Sequence, residues 1–340
     1  MTNPRQQVNE SIQGLRGAAA LSVMLVHVHF MAANAGLTRL VEAPWIDDIG
    51  PYAVMLFFCI SGYLITSTLN KHGDVRRFAR NRVARIYPLF LILHLIMFSL
   101  GPIMNYEWMG QIRGDLVGWV GHFVSNLAFL PGLFDLPIAQ KNAWSLSYEA
   151  AFYIVAGVLF VGHRSRGELR GKCLVLLGIA GALAVAAVEI KVLFFAVGSL
   201  VWWLERKQRL HVPMSGLLGA LGCLIGFKFY IHEHYILSTI AVLPFFASVA
   251  LEKGWPAAAL RSRPLVWLGK VSYSLYLIHP FVLDPLRRIS LKLVDKTSLG
   301  TAHVLFVFLG VTSAIIAAGI SYEFIEVRLT RWITHRPKAG

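Results

Sequence analysis

The sequence predicts an all-α protein, a polytopic bundle of about ten membrane-spanning helices with one re-entrant segment near 116–135. Hydrophobic residues make up 56% of the 340 residues and charged residues only 15%, whereas soluble domains average roughly 25% charged residues. The apolar residues fall into runs near the ~20 residues that one span needs. Arginine and lysine cluster between those runs, as in cytoplasmic loops. We therefore expect residues 1–340 to form a single integral-membrane domain.

Eleven apolar segments are candidates for these helices. In chain order they cover residues 17–35, 49–69, 86–104, 116–135, 143–162, 173–188, 190–204, 213–230, 236–252, 271–288 and 301–326. The first segment resembles the core of a secretory signal, but His27 and His29 interrupt it. We interpret it as a retained first span.

The basic clusters predict the orientation of the spans. Lysine and arginine are in excess in the loops 71–85, 163–172, 206–209 and 253–270 and in the tail 328–338. An excess of this kind marks the cytoplasmic side, so both termini are expected in the cytoplasm.

The segment 116–135 is predicted not to cross the membrane. Three apolar segments separate the first two basic loops, although an even number of crossings is needed to keep both loops on one side. Segment 116–135 is the weakest of the three, because His122, Asn126 and Pro131 interrupt it. We expect a re-entrant or surface segment, buried in protein or beside a wet cavity.

One basic group lies on the wrong side of this topology. Arg287, Arg288, Lys292 and Lys296 would be outside. They form either an acceptor-binding surface or an exception to a statistical rule. We favour the exception.

Composition argues against several other classes. The net charge is +14, but no nucleic-acid-binding motif accompanies it, so we expect no nucleic-acid partner. Cys59, Cys173 and Cys223 are far apart within apolar runs, which argues against a disulfide framework and against zinc. With no HxxxH motif or carboxylate cluster in the sequence, we expect no metal. The oligomeric state cannot be read from the sequence.

The first span carries two ionisable residues on one face. Arg16 and His27 are 11 residues apart, which is about 20° past three full turns and ~16 Å along a helix. Ionisable residues at membrane depth are costly and are functional candidates. The alternative is a snorkelling arginine and a packed histidine.

Four later stretches also place polar groups near or within spans. Ser61 lies in a small-residue pair that can pack two helices closely, and no base adjoins it in sequence. Arg80, Arg82 and Arg85 precede a span as orientation charges or as phosphate ligands. The other candidates are Trp144, Ser147 and Glu149 at the start of the fifth segment and Tyr273, Tyr276 and His279 in the tenth. For His279, a packed and hydrogen-bonded core histidine is the alternative.

Together these stretches resemble the acyltransferase-3 family of bacterial integral-membrane O-acyltransferases. The matching stretches are IQGLRGAAALSVMLVH (12–27), FFCISGYLIT (57–66), RIYP (85–88), NAWSLSYEAAFY (142–153) and SYSLYLIHP (272–280). They occur in family order along nearly the whole chain. The chain departs from the family pattern at two places. Many members have an acidic residue near the position of Val54–Met55, and Asn81 interrupts an arginine run that is often continuous in the family. We expect the stand-alone form, without the soluble domain that some members append.

The resemblance implies transfer of an acyl group, usually acetyl, from cytoplasmic acyl-CoA to a hydroxyl of an extracytoplasmic or lipid-linked glycan. It implies an inner-membrane location, with membrane lipid, acyl-CoA and the glycan as partners and acetyl-CoA as donor. His27 is then the general base, or in a second version the acyl carrier, and Glu149 orients or charge-pairs its imidazole. Arg16, Arg80, Arg82 and Arg85 bind coenzyme A. The acceptor-side or supporting residues are Ser61, Trp144, Ser147, Tyr273, Tyr276 and His279.

Two other functions compete with acyl transfer. A transporter or flippase for a glycan or anionic substrate also has buried charges and broken helices, but the two halves show no internal repeat. A non-catalytic scaffold has no reason to keep Arg16, His27 and Glu149 at membrane depth.

Overall fold

A computed structural model describes residues 9–38, 44–104, 116–210, 215–294 and 298–334. Within these ranges the chain forms helices and no β-strand, which confirms the predicted all-α class. The helices are α1 Glu10–Asn34, α2 Pro44–His72, α3 Val75–Met104, α4 Leu116–Leu127, α5 Trp144–Arg164, α6 Leu169–Val188, α7 Leu193–Arg206, α8 Ser215–Ile231, α9 Tyr235–Ala241, α10 Leu243–Ala250, α11 Gly254–Leu260, α12 Arg263–Lys270, α13 Ser272–Val294, α14 Leu299–Ser321 and α15 Arg328–Thr334. A π-helical stretch, Tyr322–Val327, connects α14 to α15.

Local sequence signals explain where the long helices begin. The Asn9 side chain caps α1 by accepting a hydrogen bond from the backbone N–H of Ile12 at 2.8 Å. Ser298 caps α14 in the same way through the N–H of Thr301. Asparagine and serine are favoured caps because their oxygens satisfy N–H groups that have no partner within the helix.

Six helices among the described residues are long and apolar enough to cross a membrane, and a bent pair, Tyr235–Ala250 with Gly254–Leu260, raises the number to seven. The predicted multi-pass membrane protein is confirmed, but the predicted count of about ten is not. The remaining candidates fail by length or charge. Helix α7 has 14 residues, which reach about 21 Å of a ~30 Å hydrocarbon core. Helix α13 carries Asp284, Arg287 and Arg288 within its length.

The segment predicted as re-entrant contains α4, a helix of 12 residues. Its length is about 18 Å, too short to cross the bilayer. Turns and an irregular loop follow α4 and lead into α5. This shape agrees with a segment that does not cross, while its depth in the bilayer stays a prediction.

The chain divides into two compact units. The first unit comprises Met1–Tyr63 with Leu193–Tyr322, and the second comprises Leu64–Val192 with Glu323–Gly340. That residues 1–340 form a single functional domain remains a prediction.

The first unit is organised around α1, which packs on α11, α12 and α13. Glycines allow this approach: a Cβ at Gly14 would lie 1.8 Å from the carbonyl oxygen of Leu260, and one at Gly17 would lie 2.1 Å from that of Leu265. Further along α1, Ala20 and Met24 pack in a buried cluster with residues of α12, α13 and α14. Helix α1 is therefore fixed along most of the length that separates Arg16 from His27.

The second unit packs α3, α5 and α6 together with α15. Helices α5 and α6 form an antiparallel pair, and Phe78 of α3 packs in a cluster with Phe152, Tyr153 and Phe160 of α5. The Thr330 hydroxyl of α15 donates to the carbonyl of Ala84 in α3 at 2.9 Å. These contacts place the arginines of α3 beside the α5 surface.

Candidate functional site

His27 lies half-buried on α1, and its Nδ1 is 2.8 Å from the carbonyl oxygen of Val23. A carbonyl only accepts hydrogen bonds, so Nδ1 carries the proton in this contact. The neutral ring then has its lone pair on Nε2, the nitrogen that can take a proton from another molecule. The bond to Val23 thus does for His27 what an orienting carboxylate does in a catalytic triad.

His279 lies against His27 in the same unit. Its Nδ1 is 2.8 Å from the carbonyl oxygen of Leu275, and its side chain is fully buried. The two imidazole centroids are 5.0 Å apart. The first and tenth apolar segments therefore bring two histidines together, each with its backbone bond at Nδ1. Sequence analysis singled out both residues but did not pair them.

Arg16 is half-buried, and it lies on a different face of α1 from the glycines that make the close helix contacts. Gly14 and Gly17 flank it and are the two points where α1 meets the backbone of α11 and α12. This part of α1 cannot shift without a backbone clash, so the direction in which Arg16 leaves the helix is fixed.

Ser61 lies beside a helix crossing rather than beside a base. A Cβ at Gly62 would be 2.0 Å from the carbonyl oxygen of Phe195, and one at Gly198 would be 1.8 Å from that of Cys59. The rings of Phe58 and Phe195 stack at 4.2 Å in the same crossing. The close-packing interpretation of this stretch is the one the geometry favours.

The tyrosines of α13 differ in exposure. Tyr276 is buried and its ring lies 6.2 Å from that of Phe57, while Tyr273 is half-buried. This contact joins the second and tenth predicted segments within the first unit. Tyr276 lies three residues before His279, about one turn earlier on α13.

Glu149 belongs to the second unit, whereas His27 belongs to the first. Its Oε1 accepts a hydrogen bond of 2.5 Å from the Tyr153 hydroxyl one turn further along α5. The guanidinium of Arg82 lies over the Tyr153 ring at 5.8 Å. The predicted orienting role of Glu149 stays a prediction, and the described partner is a tyrosine.

Residues 144–147, the W-S-L-S stretch, form the start of α5, and this end of the helix contacts the loop that precedes it. Ser147 is buried and Trp144 half-buried. The Tyr148 hydroxyl donates to the carbonyl of Gly132 at 2.7 Å, and Gly132 has a φ of 91°, which favours glycine. Trp144 packs edge-on against Tyr148 at 5.9 Å. The stretch therefore has a clear structural role beside any contact with an acceptor.

The three arginines of α3 lie in different surroundings. Arg80 is exposed, and Arg82 and Arg85 are half-buried. Arg82 lines a groove of about 610 Å³ between α3, α5 and the start of α6, in which its guanidinium lies over Phe78 at 5.4 Å. Successive helical positions rotate by ~100°, so Arg80 and Arg82 leave α3 in nearly opposite directions. Arg170 is the other cation of the groove.

Sequence analysis missed a buried polar cluster in the second unit. The His94 side chain is fully buried, and its Nε2 contacts the carbonyl of Phe123 at 3.1 Å. Asn126 donates to the carbonyl of Pro137 at 3.0 Å and accepts from the N–H of Ala139 at 2.9 Å. The i,i+4 spacing of His122 and Asn126 is the available signal, although in the sequence the two residues only interrupt an apolar run.

A second missed pair lies in the first unit. The Tyr63 hydroxyl donates to Glu205 at 2.6 Å. Glu205 directly precedes a basic cluster in sequence, where it resembles an ordinary loop charge. Only the fold reveals that α2 gives it a partner.

The basic residues near the end of α13 are partly neutralised. Asp284 is buried and forms ion pairs with Arg287 at 2.9 Å and with Arg288 at 3.0 Å. Lys292 is exposed, and Lys296 lies outside the described residues. This pairing favours an exception to the charge rule over an acceptor-binding surface for the two arginines.

Groups of three or more His, Cys, Asp or Glu that could hold a metal are absent from the described ranges. The absence of a metal requirement stays a prediction.

The profile of the acyltransferase domain family matches residues 9–322. The chain is 24% identical to the peptidoglycan O-acetyltransferase OatA of Listeria monocytogenes, over 94% of this chain and 56% of that protein. It is 27% identical to the putative peptidoglycan O-acetyltransferase YrhL of Bacillus subtilis, over 93% of this chain and 54% of that protein. A putative O-acetyltransferase of Staphylococcus aureus is 25% identical over 93% of this chain and 56% of its own length.

The chain thus spans about half the length of these curated relatives. No solved structure is significantly similar to it.

Proposed function

The chain belongs to the acyltransferase-3 family, and from that premise we propose that it is a membrane-embedded O-acyltransferase, most simply an O-acetyltransferase. The proposed donor is cytoplasmic acyl-CoA, and the proposed acceptor is a hydroxyl of an extracytoplasmic or lipid-linked glycan. The names of the relatives support an acetyl group and a peptidoglycan-like acceptor. The proposed location is the bacterial inner membrane, with both termini in the cytoplasm.

The contact between His27 and His279 is the observation that carries this proposal. Both rings hold a backbone bond at Nδ1, and their centroids are 5.0 Å apart. Two neutral imidazoles with lone pairs on Nε2 form a site that can accept a proton and stabilise it.

In the proposed reaction, Nε2 of His27 takes the proton of the acceptor hydroxyl. The hydroxyl oxygen forms a bond to the thioester carbonyl carbon, and the carbon–sulfur bond then breaks. The proton on His27 passes to the departing sulfur, which leaves as the free thiol of coenzyme A. His279 supports the imidazolium that exists between these two transfers.

The remaining predicted residues keep supporting roles in this proposal. Arg16, Arg80 and Arg85 bind the phosphates of coenzyme A, for which the arginine fork is suited. Arg82 is proposed to join them. Glu149 is the proposed charge partner of the His27 imidazolium, a role that leaves the Nδ1 bond to Val23 in place. The acceptor side is assigned to Ser61, Trp144, Ser147, Tyr273 and Tyr276.

The test is release of free coenzyme A thiol from acetyl-CoA by the purified, detergent-solubilised protein with a panel of glycan acceptors. We expect acceptor-dependent release in the wild type and its loss in His27→Ala and Arg16→Ala, by about a hundredfold or more for a lost general base. His29→Ala is the matched control, because His29 lies on the same helix about 200° away from His27 and is half-buried as His27 is.

The same assay separates the competing functions. A transporter or flippase would move its substrate without release of free thiol. Near-normal release by a folded His27→Ala protein would contradict the proposed base. Loss of release in His29→Ala as large as in His27→Ala would show that the assay reports helix packing instead of chemistry.

A further inference from the structure

Ser272, the first residue of α13, has a hydroxyl that is buried without a hydrogen-bond partner among the described residues. The whole side chain is buried. A hydroxyl that loses its bonds to water in this way costs about 1–3 kcal/mol unless another group replaces the water. Buried polar groups of native proteins are almost always bonded, so this hydroxyl calls for a partner.

Helix α1 and the run α12–α13 lie parallel and in register within the first unit. A Cβ at Gly17 would be 2.8 Å from the backbone nitrogen of Gly269, and the ring centroids of His27 and His279 are 5.0 Å apart. Ten residues separate the two contacts on each side. Each position between Gly269 and His279 can therefore be matched with a position on α1.

Ser272 lies on the side of α13 that faces α1. It precedes His279 by seven residues, which is about 20° short of two full turns and ~10 Å along the helix axis. The matching residue on α1 is Ala20, which packs in one buried cluster with Val271 and Leu275. The Ser272 hydroxyl is therefore directed toward α1 near the level of Ala20.

This level lies between the two ionisable residues of α1. Ala20 follows Arg16 by four residues, or ~6 Å, and precedes His27 by seven residues, or ~10 Å. Arg16 is the proposed ligand of a coenzyme A phosphate, and His27 is the proposed base beside the thioester. The arm of the donor that joins these two groups has to pass the level of Ser272.

The arm of coenzyme A carries an amide at the corresponding distance. Seven bonds separate its sulfur from the nitrogen of the second amide, and thirteen separate the sulfur from the first phosphorus. An extended chain covers ~3.3–3.6 Å for every three bonds, so these lengths are about 8 Å and about 15 Å. Ser272 and Arg16 lie about 10 Å and about 16 Å below the level of the two histidines.

We propose that the Ser272 hydroxyl binds the second amide of the acyl-CoA arm, so that the donor lies along α1 from Arg16 to His27. This inference rests on the proposed function, and it makes Ser272 a donor-binding residue with no part in proton transfer. A hydroxyl can donate to the amide oxygen or accept from the amide N–H. A buried amide needs such a partner as much as the hydroxyl does.

The proposal separates stability from donor affinity. Ser272→Ala removes a hydroxyl that has no described partner in the protein alone, so the melting temperature should stay at the wild-type value or rise. In thiol release with saturating acceptor, the KM for acetyl-CoA should rise by about three- to tenfold, the cost of one hydrogen bond, while kcat is unchanged.

Shortened donors locate the contact along the arm. S-acetylpantetheine keeps both amides but has no phosphate, and S-acetyl-N-acetylcysteamine keeps only the amide nearer the sulfur. Ser272→Ala should lower kcat/KM with acetyl-CoA and with S-acetylpantetheine, and it should have no effect with S-acetyl-N-acetylcysteamine. Arg16→Ala should lower kcat/KM with acetyl-CoA alone among the three donors.

Ser274→Ala is the matched control. Ser274 is also fully buried in the first turn of α13, but it lies about 200° around the helix from Ser272, and its hydroxyl donates to that of Ser321 at 3.2 Å. This variant should lose melting temperature and keep the wild-type KM for acetyl-CoA.

A binding measurement keeps the Ser272 contact apart from the reaction. Coenzyme A should raise the melting temperature of the wild type and of Ser274→Ala more than that of Ser272→Ala, because a ligand stabilises the folded state according to its affinity. Absence of thiol release with every donor would contradict the proposed function, and this shift would then decide the Ser272 contact. An equal shift in all three proteins, or an equal loss of kcat/KM by Ser272→Ala with S-acetyl-N-acetylcysteamine, would overturn the proposal.

Discussion

At the scale of single residues, the bonds at Nδ1 decide which nitrogen of each histidine is available for chemistry. Val23 and Leu275 lie four residues before His27 and His279, so each ring bonds to its own helix at 2.8 Å. This local bond is encoded by helix geometry alone, and it fixes the tautomer. The packing of α1 on α13 then brings the two imidazoles together.

The substitution His279→Asn separates proton sharing from packing. The asparagine amide can still donate to the carbonyl of Leu275, but it has no group at the position of Nε2. If His279 supports the imidazolium of His27, kcat should fall by about tenfold or more while the KM for acetyl-CoA and the melting temperature stay near the wild-type values. These three quantities are measured by thiol release and thermal unfolding in detergent.

The result that contradicts a shared proton is a wild-type kcat in the asparagine variant. A variant that loses kcat and melting temperature together would instead assign His279 to the core. His29→Asn provides the reference, since the same change about 200° away on α1 should leave kcat unchanged.

At the scale of elements, the small residues of the first motif are explained by helix crossings. Gly14 and Gly17 allow α1 to touch the backbone of α11 and α12, and Gly62 and Gly198 do the same for α2 and α7. Membrane helices associate through close packing of small residues because lipid provides no hydrophobic driving force between them. The same residues that hold the bundle together therefore also set the direction of Arg16.

Gly17→Ala should lower the melting temperature of the protein in detergent. The new Cβ would lie 2.1 Å from the carbonyl oxygen of Leu265, so α1 or α12 must move, and overpacking of this kind costs about 1–3 kcal/mol. Gly300→Ala is the control in the same unit, because its Cβ would meet only the Ser298 hydroxyl at 4.0 Å. Alanine is the better helix former, so Gly300→Ala should keep or raise the melting temperature. An equal effect of the two substitutions would show that the α1 crossing adapts freely.

At the scale of the whole molecule, the sequence predicted what local rules control. Apolar run length predicted the helical membrane class, and the same-face spacing of Arg16 and His27 followed from helical rotation. The rotation that turns Arg80 away from Arg82 was also available from spacing alone. In contrast, the meeting of His27 with His279 depends on how α1 packs on α13, which no local pattern encodes.

The helix count also shows what local sequence patterns do not encode. Hydropathy cannot distinguish a short helix such as α7, or the bent pair of α9–α10 with α11, from a full span. Polar clusters such as Asn126 with Pro137 and Ala139 reduce the apparent strength of a segment because their partners lie elsewhere in the chain. A count of apolar runs and a count of long apolar helices therefore differ wherever a short or bent helix lies within the protein, and the predicted count of about ten stays a prediction.

The predicted topology is tested by the accessibility of single cysteines in intact cells. In a variant without Cys59, Cys173 and Cys223, we expect Ser298→Cys, between α13 and α14, to react with a membrane-impermeant maleimide from outside. Ser165→Cys, between α5 and α6, should react only after the membrane is permeabilised, because four basic residues lie in that loop, Arg164, Arg166, Arg170 and Lys172, and such loops stay in the cytoplasm. Reaction of Ser165→Cys in intact cells would reverse the orientation.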